Sequence, residues 1–259
     1  LKIYIIKKMA LGTKLGVIAS SGVAAASFEN DYSIVFDGTD DYANGTANFT
    51  TWNGLANVSF NLWFKRDDVT RNEMLMSQYG TGGNNFYIYC VGNARLDVYL
   101  GGGVRYRYTG TTFANNTWYN LGFSYDGSQG TSADRPSLYL NGSSRLAGTF
   151  GGPTALGTYT SDFQMSGRDG ATLEMAGNLD EISIWTSTLT EANHNAIYNS
   201  GTPLDISALA ESAGISGLAH WWRGGDNNGG TGTTMSDAVG SYDIDYFNDN
   251  TAFEADVPT

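Results

Sequence analysis

From about Ser27 onward, short apolar runs recur at close spacing, and most end in Gly, Asn or Asp, the residues that favour turns. Ser33-Ile34-Val35-Phe36 is the first, stopped by Asp37-Gly38. Residues 58–65 alternate with a period of two, which predicts a strand with Val58, Phe60, Leu62 and Phe64 on one face. Residues 74–79 and 86–91 follow, divided by a stretch that includes Gly80-Thr81-Gly82-Gly83. Residues 95–100 and 104–108 read as a hairpin across Gly101-Gly102-Gly103, and residues 118–125 stop at Asp126-Gly127. Residues 137–140 turn through Asn141-Gly142 into 144–149, a strong hairpin signal, and 163–166 and 179–185 complete the main set.

One helical segment interrupts the pattern. Thr190 is placed to cap residues 191–199, Glu191 suits the positive helix start, and Gly201 and Pro203 stop it. Residues 204–217 read as a second short helix and a linker. The tail holds Leu218-Ala219-His220-Trp221-Trp222-Arg223, a Gly/Asn/Thr-rich stretch and an apolar segment over 242–253. There is no internal repeat. Strands at this spacing predict an all-β fold, an antiparallel sandwich with Greek-key or jelly-roll connections, a short helix and terminal extensions. The expected division is an N-terminal arm over 1–26, the jelly roll over 27–201, and a C-terminal extension over 202–259 that packs on the sandwich or on a neighbour.

Composition narrows the function classes. The 259 residues suit one large all-β domain with appendages, and 34 Gly against 4 Pro fit many tight turns. The net charge of −12, with only 14 Lys and Arg, shows no evident basic patch for a phosphate backbone, so nucleic acid is not an expected partner. Cys90 is the one cysteine, which excludes an internal disulfide, and its place in a strand predicts a buried, inert thiol. No apolar run approaches the length of a membrane span.

Residues 1–26 have basic residues at the start and small ones at the end, as a signal peptide does, but Lys14 and several Gly, Ser and Thr break the apolar stretch. Ile3, Ile5, Ile6, Leu11, Leu15, Val17 and Ile18 would expose apolar surface in water. The expectation is an assembly arm that buries them against another subunit of a homo-oligomer or lattice. Met9 is a candidate start.

Several segments resemble the laminin-G-like family of concanavalin A-like jelly rolls. They are the strand and turn from Ser33 through Asp37-Gly38-Thr39-Asp40-Asp41-Tyr42, the alternating strand 58–65, and Trp118-Tyr119-Asn120-Leu121-Gly122-Phe123-Ser124-Tyr125-Asp126-Gly127. Leu138-Tyr139-Leu140-Asn141-Gly142, Gly177-Asn178-Leu179-Asp180-Glu181-Ile182-Ser183-Ile184-Trp185 and the helix over 189–201 follow in the family's order. The outer parts, Met9-Ala10-Leu11-Gly12-Thr13-Lys14-Leu15-Gly16, Gly201-Thr202-Pro203 and the stretch from Leu218 to Asp226, resemble structural proteins of marine tailed bacteriophages. The fold implies little about function, because one fold hosts many.

Glycosidases of related jelly rolls use two carboxylates on one strand face, spaced Glu-x-Asp-x-x-Glu, and Glu174, Asp180 and Glu181 lack that spacing. His194 and His220 have no Ser or Cys partner in a recognisable motif, so structural roles and no catalytic residue are expected. For metal, Asp37, Asp40 and Asp41 crowd one turn. The resemblance implies that the strand carrying Asp180 lies close to them, an oxygen set that would suit Ca²⁺. For sugar, aromatic faces and amide or charged groups on loops are the expected ligands: Tyr79, Asn84, Asn85, Tyr106, Tyr108, Arg168 and Asp169. The first functional expectation is a non-enzymatic virion structural or decoration protein, a homo-oligomer or partner of other virion proteins. The alternative is a secreted or surface carbohydrate-binding or adhesion module that meets cell-surface glycans.

Overall fold

The computed structural model describes residues 28–80, 85–101, 105–145, 148–150, 152–168, 172–248 and 252–259. The assembly arm expected over 1–26, together with Asn84 and Asp169, lies outside them. The strands in chain order are β1 (Ser33–Asp37), β2 (Tyr42–Asn48), β3 (Asn57–Arg66), β4 (Asn72–Gln78), β5 (Phe86–Val91), β6 (Arg95–Leu100), β7 (Arg105–Tyr108), β8 (Trp118–Asp126) and β9 (Pro136–Leu140). They continue with β10 (Ser143–Arg145), β11 (Gly148–Phe150), β12 (Asp162–Met165) and β13 (Ala176–Trp185). After helices α1 (Glu191–Tyr198) and α2 (Ile206–Ala213) come β14 (Leu218–Trp222), β15 (Thr234–Met235), β16 (Ile244–Phe247) and β17 (Phe253–Glu254).

Two antiparallel sheets form a sandwich. The first runs β10-β9-β8-β3-β13-β1-β17, with β14 also on β13, and the second runs β11-β7-β6-β5-β4-β12-β2-β16-β15. Val58, Phe60, Leu62 and Phe64 are each at most 1% exposed and face the interior, as the alternation requires. They meet the inward residues of the second sheet, among them Phe86, Ile88, Cys90, Leu96 and Val98, in one core. Asn141 and Gly142 both take positive φ in the β9–β10 turn, the conformation that a two-residue hairpin with right-handed strand twist demands.

The outward face of the first sheet is covered. Thr190 and Asn193 form a reciprocal capping box that starts α1, and α1 lays His194 and Ile197 inward. Asp205 caps α2 through the Ala208 amide. Gly122 provides room for the histidine: a Cβ there would stand 2.3 Å from its Nδ1. Ser59, Asn61, Trp63 and Lys65, the outward residues of β3, are therefore buried too, and Lys65 pairs with Asp256 of the C-terminal segment. Among the described residues, that leaves the outward face of β5, β6 and β7 in the second sheet as the open one.

β13 carries a bulge between Asp180 and Ser183, with Glu181 at φ 47°. Before the bulge β13 pairs with β1; after it, with β14. The extra residue lets one long strand change partners.

Candidate functional site

Period-two alternation sorts the side chains of β5, β6 and β7. Phe86, Ile88, Cys90, Leu96, Val98, Leu100, Tyr106 and Tyr108 point into the core. The opposite face carries Tyr87, Tyr89, Val91, Arg95, Asp97, Tyr99, Arg105 and Arg107, of which all but Asp97 are partly exposed. Register places Ser77, Tyr87, Tyr99 and Arg105 in one row across four strands, and Tyr89, Asp97 and Arg107 in a parallel row.

Tyr87 and Tyr99 are stacked, their centroids 4.7 Å apart and their planes 7° from parallel. Burial pushes the Tyr87 phenol above its usual range, with Tyr99 and Asp97 adding to the shift and Arg105 opposing it, so the hydroxyl stays neutral and can both donate and accept. Arg107 grips Asp97 with two parallel bonds of 2.9 and 3.0 Å, and Arg95 adds a third contact at 3.3 Å.

The segment after β12 bounds this face. Ser77 Oγ donates to the Gly167 carbonyl at 2.8 Å and Gln164 Nε2 to the Ser166 carbonyl at 2.6 Å, which lays residues 166–168 over the row at β4 and β12. Tyr79 continues the outward parity of Ser77, and the Arg168 guanidinium lies 4.7 Å over its ring. Asn85 Oδ1 accepts the Gly80 amide at 3.0 Å. The site is thus a tyrosine floor with an Arg168–Tyr79 wall on one side and Arg105 on the other.

Of the ligand residues expected from sequence, Tyr79, Asn85 and Arg168 come together here. Tyr106 and Tyr108 do not: they are 6% and 4% exposed and face the core. Their hydroxyls reach the Arg145 carbonyl and the Thr111 hydroxyl. In Arg105-Tyr106-Arg107-Tyr108 the charged residues take the wet face and the rings take the dry one, because a guanidinium is far costlier to bury than a phenol with a partner. The same parity would have pointed to Tyr87, Tyr89 and Tyr99, which the sequence analysis missed.

Asp180 does not join the acidic turn. Asp37, Asp40 and Asp41 bring carboxylate oxygens within 4.8 Å of one another. β1 pairs Asp37 with Ala176 and Ile34 with Leu179, so Asp180 lies at the far end of that ladder. There Asp180 accepts from Asn30 Nδ2 at 3.0 Å and from the Glu181 amide at 2.8 Å. Burial drives its carboxyl well above the usual range, with the charge of Glu181 adding to this. Burial also pushes Glu181 up to about 8, against the pull of Arg223 and of the Trp221 indole N–H. A cavity of about 500 Å³ opens beside them, lined by Glu29, Asp31, Asp205, Arg223 and Asp226 among others. Arg223 is already engaged by Glu181, Asp226 and the Glu29 carbonyl.

Both histidines have structural partners. Asn61 donates to His194 Nδ1 at 3.4 Å, so Nε2–H donates to Ser124 Oγ at 2.9 Å, and the Ser124 hydroxyl donates to the Leu189 carbonyl at 2.8 Å. That pair resembles a nucleophile and base, but the hydroxyl proton points away from the ring and both residues are buried. His220 Nδ1–H donates to Asp237 at 2.6 Å and Nε2 accepts from Thr51 at 2.6 Å, which ties β14 to the β2–β3 turn.

A laminin-G family profile, described as the concanavalin A-like lectin/glucanases superfamily, matches residues 37–193. The chain belongs to this superfamily. Among solved structures, a protein from Bacteroides ovatus assigned to carbohydrate binding shares 18% identity and a TM-score of 0.61, over 89% of this chain and 62% of its own. A leech intramolecular trans-sialidase shares 11% identity and a TM-score of 0.50, over 69% of this chain and 28% of its own. A heptameric pentraxin from Limulus polyphemus shares 13% identity and a TM-score of 0.48, over 65% and 82%. At these identities the likeness is one of fold. No match was found among curated proteins.

The concanavalin A-like superfamily takes in both lectins and glucanases. Glycoside hydrolysis needs one carboxylic acid and one carboxylate flanking the bond. Among the outward residues of β5, β6 and β7, Asp97 is the one carboxylate, and two arginines hold it as their counter-ion.

Proposed function

We propose that this chain is a non-catalytic carbohydrate-binding module and that the outward face of β5, β6 and β7 is where it holds a glycan. The observation that carries the reading is the parallel Tyr87–Tyr99 pair on the sandwich's open face, flanked by hydrogen-bonding groups. Sugar rings present C–H faces that stack on aromatic rings and hydroxyls that pair with phenols, guanidinium and carboxylate groups. A secreted or surface location follows from this reading. Among the described residues no helix is long and apolar enough to cross a membrane.

The test is affinity electrophoresis of the full chain through gels that contain soluble polysaccharides. A retarded wild type and an unretarded Tyr87→Ala variant with unchanged circular dichroism support the reading. Equal mobility of the two in every gel overturns it.

The acidic turn belongs to the proposal as a Ca²⁺ site. Its donors are all oxygen, which suits a hard cation, and Asp37, Asp40 and Asp41 would hold it. Two of those oxygens are already used, since the Asp37 amide donates to Asp41 Oδ2 and the Thr39 amide to Asp37 Oδ1. Water and backbone carbonyls would complete the six to eight ligands. The virion role and subunit assembly rest on the terminal resemblance and on residues 1–26, and the open tyrosine face favours the glycan module over them.

A further inference from the structure

We propose that the tyrosine face selects acidic glycans, those that carry a carboxylate or a sulfate, and that Arg105 and Arg168 read the anion. This rests on the glycan-binding reading and adds a ligand class to it. The chain as a whole is strongly acidic, with 26 Asp and Glu against 14 Lys and Arg. The outward face of β5, β6 and β7 reverses that balance: Arg95, Arg105 and Arg107 stand there with Asp97 as the one carboxylate, and Arg168 adds a fourth guanidinium from the wall. An acidic protein repels anions at a distance, so a ligand that gains from this face must bring its charge within a few ångströms of the guanidinium groups.

The four arginines are not equivalent. Arg107 spends its planar fork on both oxygens of Asp97, and Arg95 leans on the same carboxylate. They build the floor. Arg105 is the cross-strand partner of Tyr99, about 4.8 Å away across the ladder, and stands in the same row as Tyr87. The Arg168 guanidinium lies 4.7 Å from the centroid of the Tyr79 ring and makes no ion pair among the described residues. Tyr79 lies two residues beyond Ser77, the cross-strand partner of Tyr87. A sugar docked over the Tyr87–Tyr99 pair would therefore meet Arg105 on the β7 side and the Arg168–Tyr79 wall on the β4 side. Guanidinium binds carboxylate and sulfate in bidentate geometry, and a ring-stacked guanidinium is pre-organised for it.

Matched probes separate charge from sugar. Affinities of the full chain are measured for polygalacturonate and its methyl ester, for dextran sulfate and dextran, and for an oligothymidylate as a polyanion of another class. At least one acidic glycan is expected to bind about tenfold or more tighter than its neutral twin at low salt, with the ratio shrinking as salt rises. The Arg105→Gln/Arg168→Gln variant, checked for an unchanged melting temperature, should bring that ratio close to one, and Arg168→Gln alone should lower it. A wild-type ratio near one, a ratio that survives the double substitution, or tighter binding of the oligothymidylate than of either acidic glycan overturns the proposal. If the neutral twin binds, Tyr87→Ala abolishes that binding and the ratio is near one, acidic selection alone falls. If no polysaccharide binds, the glycan-binding reading falls with it.

Discussion

Tyr87 on β5 and Tyr99 on β6 face each other directly across the ladder with rings nearly parallel, and both remain partly exposed. Such a cross-strand aromatic pair contributes about 0.5–1.5 kcal/mol beyond its buried area. Tyr99→Ala should therefore lower the melting temperature by only a few degrees while reducing polysaccharide affinity about tenfold or more. Thermal unfolding followed by circular dichroism, run beside isothermal titration calorimetry on the polysaccharide found by electrophoresis, checks the split. A loss of affinity matched by a collapse of stability would place Tyr99 in the scaffold instead.

His194 ties acid sensitivity to the covered sheet. Burial lowers its folded-state pKa from 6.5 to about 3. The unfolded chain takes up a proton near pH 6.5 and the folded chain does not. The stability His194 contributes is thus present above pH 6.5 and is lost as pH falls from there towards 3. In His194→Gln, the decline of melting temperature between pH 6.5 and 4 should be shallower than in the wild type. Parallel declines would refute the assignment.

The carboxyl pair at the β13 bulge acts in the opposite sense. Asp180 and Glu181 have raised folded-state values, from 3.8 and 4.5, with Glu181 at about 8. Their favourable contribution is fully present below those unfolded values and is lost as pH rises towards 8. Asp180→Asn removes one buried charge and should flatten the fall in melting temperature between pH 5 and 8. A steeper fall in the variant would show that the pair is stabilised as a dianion.

Cys90 is fully buried in the core, and burial pushes its thiol up to about 12. Native protein should resist iodoacetamide at pH 8 for hours and react stoichiometrically in 6 M guanidinium chloride. Rapid native labelling, read by intact mass, would contradict the packing of β5 against β3.

Calcium should raise the melting temperature by mass action if the acidic turn binds it only in the folded state. The expected result is a rise with millimolar CaCl₂ that EDTA reverses and that Asp41→Asn reduces. No change in the wild type would exclude the site, and a rise that the substitution leaves intact would place the ion elsewhere.

The tyrosine face was half legible in the chain. Alternation in Phe86-Tyr87-Ile88-Tyr89-Cys90 sets its two tyrosines opposite Phe86, Ile88 and Cys90, but does not show that Tyr99 lies beside them. Tyr106 and Tyr108 look as ligand-like as Tyr87 on composition alone, and only the pairing of β7 with β6 sends them inward. Arg95, Arg105 and Arg107 form no basic run in the sequence, and only the ladder of β5, β6 and β7 puts them on one face.

What the sequence determined by itself is local: strands from period-two patterning in residues 58–65, the Asn141-Gly142 hairpin from two residues that accept positive φ, and the α1 start from Thr190. Tertiary structure alone decided which partners those elements found. It placed Asp180 beside Asn30 rather than Asp37, because a strand pairs residue by residue and Asp37 sits opposite Ala176. It also added β14, β16 and β17 from the C-terminal stretch to edges that the chain before it leaves open. Pattern and turn chemistry act over a few residues and are written in order along the chain. Register between distant strands is set by burial and by the pairing of backbone N–H and C=O groups, which no short window of sequence contains.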